Sequence, residues 1–157
     1  MAHIRQQLRT QAKAIVEGAG ITAFVNRDKQ ISQTELPCAV ITTDKDKVEP
    51  FITSGNRAGC GNPKRNRIID LVIRVYAQSY QNVDNALDDL CVDVENAFAA
   101  DITIKTAYLD LESTSIDIFG EGDQPIAVAT LKYIAEFKNI SGPEQVVTEP
   151  AVIEPEE

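Results

Sequence analysis

Apolar positions along the chain follow two periods. From Arg67 to Gln78 the odd positions Ile69, Leu71, Ile73, Val75 and Ala77 are all apolar, while the even positions Ile68, Asp70, Val72, Arg74 and Tyr76 are mixed. A period of two with β-branched residues predicts a strand with one dry face and one half-wet face. The period then changes. Val83, Leu87, Leu90, Cys91, Val94, Ala97 and Phe98 recur at helical spacing, with Asp84, Asp88, Asp89, Asp93 and Glu95 on the other side. This predicts an amphipathic helix capped by Asn82, its early aspartates favoured by the helix dipole. The simplest packing lays the apolar stripe over the odd face of the strand.

The same reading places the other elements. Ile4, Leu8, Ala12, Ile15 and Val16 mark a first helix over 3–17, stopped by Gly18 and Gly20. Short strands are expected over 21–27 and, opened by Leu36-Pro37, over 38–43. Positions 44–66 read as a long irregular segment, parts of which extend the flanking strands as a hairpin arm. The strand expected over 109–119 changes parity: Leu109 and Leu111 are apolar on odd positions, Ile116 and Ile118 on even ones. The intervening Ser113-Thr114-Ser115 suits a β-bulge. Gly120–Gln124 reads as a turn and 125–138 as the last strand. Its odd face is Ala127, Ala129, Leu131, Tyr133, Ala135 and Phe137, and its even face is half apolar again.

Two strands therefore share the same unusual even face. It is too apolar for an ordinary wet surface and too charged for a core. It fits either an oligomer surface, whose composition lies between the two, or a solvated sheet face with scattered apolar residues.

Charge adds to this picture. The chain is strongly acidic, with a formal net charge of −9, which argues against general nucleic-acid binding because phosphate affinity needs a dense basic surface. Five glutamates and no basic residue lie in positions 139–157, leaving 19 acidic against 15 basic residues elsewhere. That segment also holds three of the seven prolines, so it reads as an acidic, Pro-rich tail to a single domain over 1–138, ordered only by a neighbour. Positions 49–67 run the other way: Arg57, Lys64, Arg65 and Arg67 face only Glu49, a net +3. No apolar run approaches the roughly 20 residues of a membrane helix. The first residues have no apolar signal core, so the reading is a protein made inside a cell.

Catalytic signatures are hard to find. His3 is the sole histidine and is expected to be a solvated side chain near a fraying end. Cys38, Cys60 and Cys91 are far apart with no CxxC. Cys38 and Cys91 sit in apolar patterns and read as buried thiols, while Cys60 sits among glycines without a histidine partner. The stretch Ser54–Gly61 lacks the Lys-Ser or Lys-Thr that opens a helix in a phosphate loop. Asp84, Asp88 and Asp93 lack the glycine and terminal glutamate of a calcium loop. The expectation is a non-enzyme without cofactor or metal. The residues singled out are subunit-interface candidates: Arg57, Lys64 and Arg65 on the basic loop, Arg74 and Tyr76 on the half-apolar face, and Asp84, Asp88 and Asp93 on the acidic helix face. A basic arm reaching a neighbour's acidic helix offsets the repulsion between acidic copies. A solvated loop and DNA remain the other targets for those charges.

The order of these segments resembles the tail terminator (minor tail) proteins of long-tailed bacteriophages and prophages. The resemblance is carried by Leu36-Pro37-Cys38-Ala39-Val40-Ile41 before the long loop, the charged strand 71–77, the helix 83–95, and Gly120-Glu121-Gly122-Asp123-Gln124-Pro125 before the strand 126–131 with Tyr133. It covers 4–137 and leaves out the acidic tail. It implies an α+β domain with a mainly antiparallel sheet of about four to five strands and two helices on one face. It also implies a homo-oligomer, a hexameric ring capping the tail tube and meeting the tube protein and a head-completion or connector protein. DNA would pass through the lumen without specific binding, in a virion tail assembled in the host cytoplasm with no membrane partner. Other tube or neck proteins of the same virion fit nearly as well, and a small-molecule enzyme or a monomeric binding module less well.

Overall fold

Two helices lie on one face of a five-stranded sheet in the computed structural model, which describes residues 3–25, 31, 33–50, 65–78, 82–100, 107–119 and 126–140. The elements run α1 (Ile4–Gly18), β1 (Thr22–Phe24), a short 3-10 turn (Gln33–Glu35), β2 (Cys38–Pro50), β3 (Arg65–Gln78), α2 (Val83–Ala100), β4 (Ala107–Phe119) and β5 (Ile126–Ile140). The sheet order is β1-β2-β3-β5-β4; β1 pairs parallel with β2 and every other pair is antiparallel. This is the α+β architecture expected from the sequence. Arg57, Lys64, Cys60, the Gly120–Gln124 turn and positions 141–157 lie outside the described residues.

The core forms where the two periods meet. Ile69, Leu71, Ile73 and Val75 of β3 are fully buried, as are Ala127, Ala129, Leu131 and Ala135 of β5, under Leu8, Val16, Leu87 and Val94 from the helices. Phe98 of α2 lies against Tyr133 with ring centroids 4.9 Å apart. Leu90 is only half-buried against this cluster, so the inward face of α2 is centred on Leu87, Cys91, Val94 and Phe98.

α1 ends in a two-bond reversal. The Gly20 N–H donates to Glu17 and the Ile21 N–H donates to Val16. Gly20 takes φ +87°, a left-handed conformation that costs a Cβ-bearing residue dearly. Val16 and Ile21, which flank the reversal, are both buried and direct the chain into β1.

Several boundaries differ from the sequence reading. β1 is the three-residue core of the expected 21–27 strand. β2 runs past Thr43 to Pro50 and β3 begins at Arg65, with Pro50 opposite Arg65, which is the expected extension of the flanking strands into the 44–66 segment. The alternating Asp44-Lys45-Asp46-Lys47 has no apolar period and looked irregular. Backbone pairing with β3 holds it as strand, and one extra residue between Thr43 and Asp46 forms a bulge. The parity change in β4 is likewise a bulge: Leu111 lies opposite Tyr133 and Ser113 opposite Lys132, leaving Glu112 as the extra residue. β5 runs to Ile140, so Asn139 and Ile140 belong to the sheet rather than to the tail.

Candidate subunit interface

Among the described residues neither helix packs on the second face of the sheet. Its side chains come from the even positions of β3 and from the residues opposite them. One row across the strands is Thr42, Val72, Lys132 and Ser113; the next is Val40, Arg74, Thr130 and Ser115. The middle of this face is nonetheless buried. Val40, Thr42 and Val128 are each 4% exposed, Val72 is 7% and Asp70 is 8%. Arg74 and Tyr76 are half-buried beside them. The face holds short β-branched side chains at its centre and charge around them.

One charged group is organised around Lys132. Its ammonium lies 3.0 Å from Glu112 Oε2 and 3.5 Å from Asp70 Oδ2. The bulge in β4 supplies Glu112 to this contact. The hydrogen bond that Lys132 donates to Glu112, followed by the charge of Asp70, raises the lysine pKa above its ordinary value. The side chain of Asp70 is only 11% exposed, and Lys132 supplies the opposite charge beside it.

A second cluster, which the sequence reading missed, ties α1 to the β2–β3 hairpin on the helix side. Arg67 Nη1 lies 2.8 Å from Asp46 Oδ2 and Arg5 Nε lies 3.5 Å from the same oxygen. Arg9 Nη1 donates to Thr43 Oγ1 at 2.7 Å. His3, expected as a solvated side chain near a fraying end, is part-exposed and has a capping role: its Nδ1 accepts the Arg5 backbone N–H at 3.1 Å at the start of α1. Burial, then the charges of Arg5 and Arg67, hold its pKa below 6.5. Asp46 Oδ1 is buried without a hydrogen-bond partner. Arg67 is therefore held inside its own chain and is not part of a free basic loop. The Asp46–Arg67 pairing leaves no mark in the sequence, because Asp46 lies in a stretch without apolar period and its partner is 21 residues away.

The described interface candidates, Arg65, Arg74, Tyr76, Asp84, Asp88 and Asp93, do not form one site within a single chain. Arg65 is exposed at the first position of β3. Arg74 and Tyr76 lie on the second face, opposite Val40 and Cys38. Asp84, Asp88 and Asp93 are exposed on α2, on the helix side. Asp93 also lines a groove of about 600 Å³ between the end of α1 and α2, with Ala14, Gly18, Asn96 and Ala97 among its walls.

The buried thiols divide between the faces. Cys38 is opposite Tyr76 on the second face, and Cys91 is in the helix–sheet core. Burial pushes the Cys91 thiol up to about 11, and a thiol in that state is a poor nucleophile. Among the described residues no three His, Cys, Asp or Glu side chains are placed to hold a metal ion. No helix there is long and apolar enough to cross a membrane. No family model matches the chain, and no curated protein matches it.

Proposed function

We propose that this chain is a structural virion protein, a tail terminator whose copies form a ring on the tail tube and present a surface for head joining. The observation that carries this reading is the second face of the sheet. On this face, where neither described helix packs, Arg74, Tyr76, Lys132 and Glu112 stay partly or fully exposed around the buried Val40, Val72 and Val128, a mix of apolar and charged groups that suits a subunit contact. The segment order that resembles the terminators supports the same reading. The candidate charges on opposite sides of the chain suit a head-to-tail contact, which uses two different surfaces of each copy. The acidic surface suits a conduit that lets DNA pass without holding it.

The test is electron microscopy of particles assembled without this protein. Overlong tails lacking heads are the expected result. Absence of tails would make it a tube or initiator component instead, and normal particles would remove it from tail assembly altogether.

A further inference from the structure

We infer that the outer edge of β4 is a self-pairing surface, on which Thr114–Ile118 of two copies pair antiparallel about a two-fold axis at Ile116. β4 ends the sheet and has no strand beyond it among the described residues. Every residue from Glu112 to Ile118 is exposed. The bulge at Glu112 turns Ile116 and Ile118 to the helix side, opposite Ala129 and Ala127. The cavity of about 210 Å³ lined by Phe98, Leu109, Leu111 and Tyr133 shows α2 reaching only the first half of β4. Ile116 and Ile118 are left 49% and 55% exposed.

The other open edge points to the partner. Beyond the short β1, the outer edge of β2 carries a bulge, Lys45, Lys47 and Pro50. These are the devices by which natural edges refuse a new strand. After its bulge, β4 has no lysine, arginine or proline and one charge, Asp117. The edge of β4 is thus open while that of β2 is blocked, and the open strand available on a second copy is β4 itself.

The segment is also complementary to itself. Centred on Ile116, Thr114 lies opposite Ile118 of the second copy, and the two Ile116 side chains meet on the helix side. On the other side Ser115 lies opposite Asp117, so a hydroxyl faces each carboxylate. β-branched cross-strand pairs of this kind stabilise, and like charges directly opposite destabilise. Moving the centre one residue later sets Asp117 against itself, and moving it one earlier sets Glu112 against Ile118. The sequence therefore disfavours both adjacent registers. The net charge of −9 on each copy opposes the contact, so salt strengthens it. The pairing belongs to the unassembled chain and does not rest on the ring reading, because a two-fold contact uses one surface twice.

The experiment is sedimentation of the full chain over a concentration series, with hydrogen exchange of the 114–118 amides. A monomer–dimer equilibrium is expected, favoured by salt, with those amides more protected in the dimer. Ile116→Lys should weaken association roughly tenfold or more, about 0.7 kcal/mol from each of two edges. Ser115→Asp, which sets a carboxylate opposite Asp117 of the second copy, should also weaken it, and both variants should keep the wild-type circular dichroism. A monomer at every concentration, or a dimer indifferent to Ile116→Lys, overturns the pairing. A larger ring insensitive to both variants also overturns it, while leaving the proposed terminator role standing.

Discussion

The two faces of the sheet share β2, β3 and β5 and differ in what sits on them. Under the helices, Ile69, Leu71, Ile73 and Val75 meet Leu8, Val16, Leu87 and Val94, and the cluster is apolar throughout. On the other face Val72 and Val128 sit beside Asp70, Lys132 and Arg74. Residues adjacent in sequence, such as Leu71 and Val72, therefore serve different ends. The first face defines the domain, because a large buried apolar area is what outweighs chain entropy. The second holds buried charge, which adds little net stability but is costly to leave unmatched. A face of that kind is poorly suited to driving folding and well suited to orienting a partner.

Breaking each face in turn should show this. Leu71→Ala removes a fully buried side chain and should cost about 2–5 kcal/mol, read as a lower denaturant midpoint. The neighbouring Val72→Ala should cost less, about 1–2 kcal/mol at roughly 0.8 kcal/mol per buried carbon. Equal losses would show that both faces are core. Lys132→Met leaves Asp70 without its counter-charge and should lower the melting temperature. Adding Asp70→Asn should restore much of the loss. A double variant no better than the single would mean that Lys132 acts by packing alone.

The remaining effects are smaller. With the His3 pKa held below 6.5, the unfolded chain takes up the proton first as pH falls. The associated stability is present above pH 6.5 and declines as pH drops through it. His3→Ala should remove that dependence along with the cap, for about 0.5–1 kcal/mol. A pH dependence unchanged by His3→Ala would assign it to the carboxylates. The smallest change is expected from deleting 141–157, which should leave the melting temperature of the dilute chain almost unaltered. A fall of many degrees would show that the tail packs on its own domain, with the second face as its first candidate site.

How much of this was legible in the sequence depended on period. The dry face of β3, the stripe of α2 and the parity switch of β4 were readable because burial writes itself as apolar spacing. The outer half of β2 was legible only as an arm extending the flanking strands, without its bounds or register. Asp44 to Lys47 are held by backbone pairing, which leaves no side-chain signature, and by an Asp46–Arg67 contact spanning 21 residues. The candidate interface was legible only in part. Ile68, Val72 and Tyr76 pointed to an unusual face, but the Asp70–Lys132–Glu112 group needed the register of three strands. The capping role of His3 rests on the backbone N–H of Arg5, while its other ring nitrogen lies 3.5 Å from Arg67, 64 residues away.

The two buried cysteines give the molecule a pair of internal clocks. Cys38 sits on the helix-free face and Cys91 under the helices, so each thiol can meet a reagent only when its own side of the sheet opens. Local opening spans a wide range of free energies within one domain. Timed labelling of the two sites would therefore separate a loosening of one face from the unfolding of the whole. If assembly covers the helix-free face, the Cys38 clock should slow on contact with a partner while that of Cys91 keeps its rate.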